Sequence, residues 1–199
     1  MKGNFIITRE MLKAYGACSS GMELFDKNHP DGQGEYQTLL DEAVRDGFEN
    51  HATWLLEKVG HTEDVLELEE VNDKELCIVF AGEIKIKKTA ILKRLVAGCG
   101  IKAGWGINAG EGIKAGWGIN AGLGIKAGLG IKAGWGINAG WGINAGLGIN
   151  AGKDYGIYAG LRVKLTNKQY RTITAKTKPE NIVCGEFVEV DNGKAVHCP

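Results

Sequence analysis

The chain has 199 residues, with 24 Lys and Arg against 24 Asp and Glu, so its formal net charge at pH 7 is zero. Its 31 Gly are accompanied by only 3 Pro, which excludes a collagen helix. It has no apolar run long enough for a transmembrane helix. The charge is unevenly divided: residues 1–75 carry 17 acidic and 7 basic side chains, which leaves 7 and 17 for residues 76–199. We expect this division to favour docking of an acidic head onto a basic body.

Residues 1–61 have a helical pattern and form the predicted head domain. Thr8 is a typical N-cap residue for the first helix, and Gly16, Gly47 and Gly60 follow the predicted helix ends. Because four short helices bury little apolar surface alone, we expect the head to pack on the end of the next domain. The predicted helices span about 10–15, 17–27, 33–46 and 50–58.

The stretch from Ile101 to Gly152 repeats every six residues with the consensus I-(K/N)-A-G-x-G. A short fixed period is typical of a solenoid, and each Gly would cost a helix about 1 kcal/mol relative to Ala. We therefore predict a mainly β protein: a hexapeptide-type β-solenoid, or β-helix, with a small helical N-terminal cap and a small β C-terminal cap. The solenoid spans 62–166 and has an acidic first strand within 62–75.

The size of one coil follows from what each hexad must enclose. Ile and Ala share one strand face and form a narrow core, whereas Lys or Asn points outward in ladders. A coil of two hexads leaves little room for Trp, so we favour three hexads per coil and about five coils in total. A coil of two hexads remains the alternative.

The fifth position of the hexad is variable and holds four tryptophans. If strand alternation continues through this position, the indoles point inward and fill the core, which is the interpretation we favour. If the flanking glycines form a corner instead, the indoles become an exposed aromatic stripe on a binding surface. The tryptophans concerned are Trp105, Trp117, Trp135 and Trp141.

The last segment, 167–199, reads as short strands and is the predicted β cap. Asp191-Asn192-Gly193 is a strong hairpin turn signal.

Five cysteines without regular spacing fit a reducing cytoplasm better than a disulfide framework. Cys18 and Cys77 lie in apolar contexts and are predicted to be core thiols.

Signals for catalysis and for metal binding are weak. Acyltransferases built on hexapeptide repeats use a histidine base, and the repeat of this chain contains no His. Cys184, His197 and Cys198 lack the spacing of zinc ligands. We therefore predict no enzymatic activity, no cofactor and no metal.

Basic side chains are the main candidates for contacts with a partner. They are densest before the ideal repeat and recur within it, where interleaved Trp also allows nucleic-acid binding as an alternative. The candidate partner-binding residues are Lys85, Lys87, Lys88, Lys93, Arg94, Lys102, Lys114, Lys126 and Lys132.

The segment Thr8-Arg9-Glu10-Met11-Leu12-Lys13-Ala14, with Ala17-Cys18, Phe25 and Trp54-Leu55-Leu56, resembles a helical head found in uncharacterised phage, prophage and plasmid proteins. The I-x-A-G-x-G body is similar to β-solenoid segments that follow such heads. The resemblance implies a mobile-element origin and no known activity. Accessory phage proteins of this size often inhibit host defence, and anti-CRISPR proteins are among them.

We therefore predict a non-enzymatic binding protein, encoded by a phage or another mobile element, that inhibits a bacterial defence complex by steric blocking. Its expected partner is a bacterial protein or nucleoprotein complex in the cytoplasm of the host cell, without a membrane. A self-assembling structural solenoid, and hence a homo-oligomer, is the first alternative. A nucleic-acid-binding rod is the second.

Overall fold

The computed structural model describes residues 5–161 and 168–190. The head begins with a short antiparallel pair, β1 (Ile6–Thr8) and β2 (Gln33–Glu35), which the sequence analysis did not predict. Four helices are present near the predicted ranges, but residues 33–35, predicted as the start of the third helix, form β2 instead. The helices are α1 (Arg9–Ala14), α2 (Ser19–Asn28), α3 (Tyr36–Arg45) and α4 (Glu49–Val59).

Local signals explain where the helices begin and end. Thr8 is the N-cap of α1, and its hydroxyl accepts a hydrogen bond from the backbone N–H of Met11 at 3.3 Å. Gly16, Gly47 and Gly60 have φ angles of 82°, 81° and 96°, which L side chains rarely adopt. The predicted N-cap and the predicted glycine terminators are therefore confirmed.

The body is a β-solenoid of about six turns built from parallel strands. In the ideal repeat, Ile119 pairs with Ile101 on one side and with Ile137 on the other, so successive coils are offset by three hexads. The preferred coil of three hexads is confirmed. The strands are β3 (Val65–Leu68), β4 (Val71–Phe80), β5 (Glu83–Ile86), β6 (Ala90–Ala97), β7 (Ile101–Ala103), β8 (Ile107–Ala109), β9 (Ile113–Ala115), β10 (Ile119–Ala121), β11 (Ile125–Ala127), β12 (Ile131–Ala133), β13 (Ile137–Ala139), β14 (Ile143–Ala145), β15 (Ile149–Asn150) and β16 (Ile157–Tyr158).

The strands stack into three faces. Face 1 consists of β3, β5, β7, β10, β13 and β16. Face 2 contains the first halves of β4 and β6, followed by β8, β11 and β14. Face 3 contains the second halves of β4 and β6, followed by β9, β12 and β15. The two long strands, β4 and β6, therefore each turn one corner, and the register between them shifts between Asp73 and Cys77.

Three strands near the C-terminus continue this stack in parallel. After a 3-10 turn at Lys168–Arg171, β17 (Thr172–Ala175) pairs with β14 on face 2, and β19 (Glu186–Glu189) pairs with β17. On face 1, β18 (Ile182–Cys184) pairs with β16. The predicted hairpin turn at Asp191-Asn192-Gly193, as well as His197 and Cys198, lies outside the described residues.

Isoleucine and alanine form the core of the solenoid, as the hexad predicts. Every Ile of the ideal repeat is at most 2% exposed, and the Ala side chains from Ala103 to Ala145 are buried beside them. Identical residues lie above one another in adjacent coils, so Ile packs on Ile and Ala on Ala along the rod. The core is consequently narrow, dry and uniform.

At several coils, the glycine at the fourth hexad position is required by close approach between the backbones of adjacent coils. A Cβ placed on Gly128 would lie 1.9 Å from the carbonyl oxygen of Gly110, and one on Gly134 would lie 2.0 Å from that of Gly116. No glycine in residues 101–152, all of which the structure describes, has a positive φ. The reason for Gly is therefore contact between backbones and not a left-handed conformation.

The head packs on the first coil. Val79 in β4 and Val96 in β6 point away from the solenoid core and are 2% and 3% exposed, because α3 and α4 cover them. The side-chain amide of Gln37 also covers the free edge of β4: it accepts a hydrogen bond from the N–H of Ala81 and donates one to the carbonyl of Val79, both at 3.0 Å. The head thus occupies polar groups that a sheet edge would otherwise offer to another chain.

Candidate functional site: the corners and faces of the solenoid

The variable fifth position of the hexad lies at a corner, and its four tryptophans are exposed. Trp105 is 53% exposed, Trp117 37%, Trp135 45% and Trp141 39%. The favoured interpretation, in which the indoles fill the core, is therefore wrong, and the exposed stripe is the correct alternative. The strands end at the third position, so the chain turns at the following Gly and alternation is broken before the Trp is reached.

The three-hexad coil divides the fifth-position side chains among three corners. The Trp105 corner, between faces 1 and 2, contains Trp105, Leu123, Trp141 and Leu161; the first three are joined by backbone hydrogen bonds of 2.9 and 3.2 Å. The Glu111 corner, between faces 2 and 3, contains Glu111, Leu129 and Leu147. The Trp117 corner, between faces 3 and 1, contains Cys99, Trp117, Trp135 and Tyr155.

Aromatic rings in the Trp117 corner stack on one another. The indoles of Trp117 and Trp135 have centroids 5.1 Å apart and are tilted by 4°, and Trp135 stacks on Tyr155 at 5.7 Å. His61, at the end of the head, meets Trp117 edge-on at 5.3 Å. Inserting a nucleobase between two rings needs about 7 Å, twice the van der Waals contact distance of about 3.5 Å. These rings therefore expose their edges to solvent and leave no gap for a base.

The Trp105 corner is arranged differently. Trp105 and Trp141 lie two coils apart with Leu123 between them, and Tyr170 packs against Trp141 at 5.1 Å with a tilt of 45°. Trp141 and Tyr170 also border a shallow groove of about 400 Å³ that runs along face 2. Aromatic side chains at the edge of a polar face are typical of protein interaction sites.

Face 2 presents polar side chains from its second hexad position. Asn108, Lys126 and Asn144 are exposed and lie in register on adjacent strands. Within residues 5–161 and 168–190, none of the three has a side-chain hydrogen bond or an ion pair. On face 1, by contrast, the corresponding amides of Asn138 and Asn120 bond to each other at 2.9 Å. The predicted Asn ladder is therefore present on face 1 at this step.

Seven of the nine candidate basic residues form ion pairs within the chain. Lys87 and Lys88 contact Glu69 at 3.1 and 3.7 Å, and Lys85 and Lys102 contact Glu83 at 3.4 and 2.7 Å. The basic cluster before the ideal repeat is thus largely neutralised by the acidic segment beside it. Of the nine, only Lys126 and Lys132 have no ion pair with the described residues.

Two further pairs join candidate residues of the solenoid to carboxylates of the head. Lys93 contacts Glu49 of α4 at 3.0 Å, and Lys114 contacts Glu57 of the same helix. Arg94 contacts Glu111 at 2.8 Å, and its guanidinium also donates to the side chain of Asn50 at 3.0 Å. The charge division in the sequence therefore corresponds to docking of the head on the body.

These ion pairs shift the acidity of the carboxylates. The hydrogen bond from Lys93 holds the pKa of Glu49 below its usual value of 4.5. Lys87 has the same effect on the pKa of Glu69. Burial by itself raises the pKa of Glu83, but hydrogen bonds and charge from Lys102 and Lys85 outweigh it and lower the pKa.

Among the side chains that the structure describes, no cluster of three or more His, Cys, Asp or Glu could hold a metal ion. In residues 5–161 and 168–190, no helix has both the length and the apolar character needed to cross a membrane.

Comparison with known proteins identifies the head alone. Residues 1–62 match the family model of the YdhT N-terminal domain, and the match ends in the loop that follows α4. No curated protein and no solved structure matches the chain. The helical head is thus similar to a known domain family, and the function of the solenoid has to be argued from its own surface.

Proposed function

We propose that this protein is a non-enzymatic binding protein, and that its solenoid contacts a partner protein through the Trp105 corner and face 2. The partner we propose is part of a bacterial macromolecular complex, which the bound rod obstructs sterically. The observation that carries the proposal is the exposure of Trp105 and Trp141 beside face 2, where the side chains of Asn108, Lys126 and Asn144 have no partner among residues 5–161 and 168–190.

Several physical features support this choice of surface. Aromatic side chains contribute much of the binding energy in protein interfaces, and exposed apolar patches on a folded domain often mark such interfaces. The stacked coils hold the backbone in one conformation, so binding costs little conformational entropy. Among the described residues, the head lies against face 3 and the Glu111 and Trp117 corners that border it, and leaves face 2 uncovered.

The finer hypothesis concerns the kind of complex. We propose a defence complex in the cytoplasm of a bacterial host, which would make the protein an inhibitor carried by a mobile element. This step depends on the resemblance of the head and the repeat to phage and plasmid proteins. It is separable from the binding surface, which the geometry supports directly.

The test is affinity capture from a bacterial lysate with the tagged full chain, followed by mass spectrometry. We expect one complex at near-stoichiometric yield, and we expect Trp105→Ala combined with Trp141→Ala to reduce its recovery by about tenfold or more. Trp135→Ala, which removes an indole from the other aromatic corner, is the matched control and should retain the partner. Equal recovery with both variants would contradict the proposed surface.

The two alternatives make different predictions in solution. An assembling rod would form concentration-dependent polymers in size-exclusion chromatography with light scattering at low or high salt. A nucleic-acid-binding rod would bind random DNA with a strong salt dependence. Internal pairing of seven candidate cations and the closed Trp117 stack give the second alternative less support.

A further inference from the structure

We propose that the helical head contains a binding site for a small uncharged apolar molecule. This site is independent of the proposed interaction surface on the solenoid. A cavity of about 250 Å³ lies among the four helices and is lined mainly by apolar side chains. They include Leu12, Leu24, Phe25, Leu39 and Leu55.

The cavity opens to solvent beside Cys18 and reaches into the apolar interior of a small domain. Protein interiors are packed like organic crystals, and voids larger than a water molecule are few. The head has only about 60 residues, so it buries little apolar surface and is only marginally stabilised by that burial. A dry engineered cavity of about 150 Å³ binds benzene. A cavity of about 250 Å³ therefore has room for a bicyclic aromatic ring system or a short acyl chain.

The polar groups along the lining indicate that the ligand is uncharged. The imidazole of His29 and the carboxylate of Glu42 bond to each other at 2.7 Å. Since these two groups satisfy each other, neither is left to compensate a charge brought into the cavity, and burying an unpaired charge is costly. A ligand carboxylate or ammonium is therefore disfavoured.

One polar group in the lining lacks a partner. The Nδ1 atom of His51 is buried and has no hydrogen bond within the described residues, while its Nε2 atom lies 3.7 Å from the thiol of Cys18. Gly21 faces both groups, and a Cβ added there would lie 3.9 Å from Nδ1 and 3.6 Å from the sulfur. A single hydroxyl or carbonyl on the ligand would satisfy His51. Cys18 is exposed and marks where the cavity reaches the surface.

The test compares 1-naphthol with 1-naphthoate, which have the same ring system and differ in charge. Titration of the full chain by calorimetry should show saturable binding of 1-naphthol and at least about tenfold weaker binding of 1-naphthoate. Absence of 1-naphthol binding would overturn the proposal, as would equal affinity for the two probes.

Variants locate the site. Gly21→Leu adds a side chain towards the cavity and should abolish 1-naphthol binding, with Ala17→Leu as a second filling variant at a different point of the lining. Glu23→Leu adds a comparable apolar side chain to an exposed position of the same helix and should bind as the natural chain does. Unchanged binding in a folded filling variant would place the probe elsewhere and overturn the assignment.

Discussion

Gln37 in the head bonds to the backbone on both sides of Phe80 in the solenoid, at Val79 and at Ala81. One side-chain amide therefore replaces the neighbouring strand that the edge of β4 lacks. The same helix, α3, covers Val79 with its apolar side chains. Docking of the head thus buries Val79, which points away from the solenoid core. It also gives hydrogen-bond partners to two backbone groups at the free edge of β4.

We expect Gln37→Ala to lower the free energy of unfolding by about 1–3 kcal/mol, because it leaves a backbone donor and acceptor unsatisfied beneath the head. Urea denaturation measures the loss, and hydrogen exchange should show faster exchange at Ala81. Gln33→Ala changes an exposed glutamine and is the control. Equal stability of the two variants would mean that the edge contacts contribute nothing.

Gly128→Ala should destabilise the solenoid by about 3 kcal/mol or more, because the new methyl would overlap a carbonyl of the coil below. Gly110→Ala occupies the same hexad position in the same corner one coil earlier, and its Cβ would meet only ordinary contacts at 3.9 Å or more. Thermal unfolding of both variants checks the prediction. A Gly110→Ala variant as unstable as Gly128→Ala would contradict the steric explanation.

The ion pair between Glu49 and Lys93 predicts sensitivity to acid. Because the folded-state pKa of Glu49 is lowered, its stabilisation is fully present above the usual value of 4.5 and is lost as pH falls through the lower pKa. Urea unfolding measured from about pH 7 down to about pH 3 should show this loss. Glu49→Gln should be less stable at neutral pH and should lose less stability on acidification.

The stack of Trp117 and Trp135 predicts a coupling between the two residues. A double-mutant cycle with Trp117→Ala and Trp135→Ala should give an interaction energy of about 0.5–1.5 kcal/mol. Near-ultraviolet circular dichroism should lose its indole signal disproportionately in either single variant. Trp105 and Trp141 are separated by Leu123, so the equivalent cycle at that corner should give a coupling near zero.

The cysteines should differ in reactivity towards alkylating reagents. Cys18 is exposed, and the hydrogen bond from Ser20 lowers the pKa of its thiol. Cys99 is buried, and burial raises its pKa. Peptide mapping after brief treatment with iodoacetamide should find Cys18 modified long before Cys99. Faster labelling of Cys99 would contradict the described packing.

Much of the solenoid could be predicted from the sequence, because the six-residue period indicates both the fold class and the inward-facing positions. A six-residue repeat with Ile and Ala two apart determines what faces inward, and the size of the variable side chains favoured three hexads per coil. The direction of Trp105 was harder to predict. It depends on where within the hexad the chain turns, and two glycines allow the turn at either place.

Cys18 illustrates a second limit. Its apolar neighbours in sequence predicted a core thiol, yet the structure exposes it. It precedes α2 as the N-cap residue, so its side chain leaves the apolar stripe of that helix. The pairing of Gln37 with the edge of β4 was equally unpredictable, because a polar helical residue gives no sign of a partner 42 positions away.

The three-hexad coil constrains how this chain can change in length. Removing or adding 18 residues, the offset between Ile101 and Ile119, would shorten or lengthen the rod by one layer of about 4.8 Å and leave each column intact. Losing a single hexad would instead rotate everything downstream by one corner. If the lost hexad lay between Leu123 and Trp141, Trp141 would continue the column of Trp117 and no longer stand above Leu123. Natural or engineered variants of this repeat should therefore differ by whole coils.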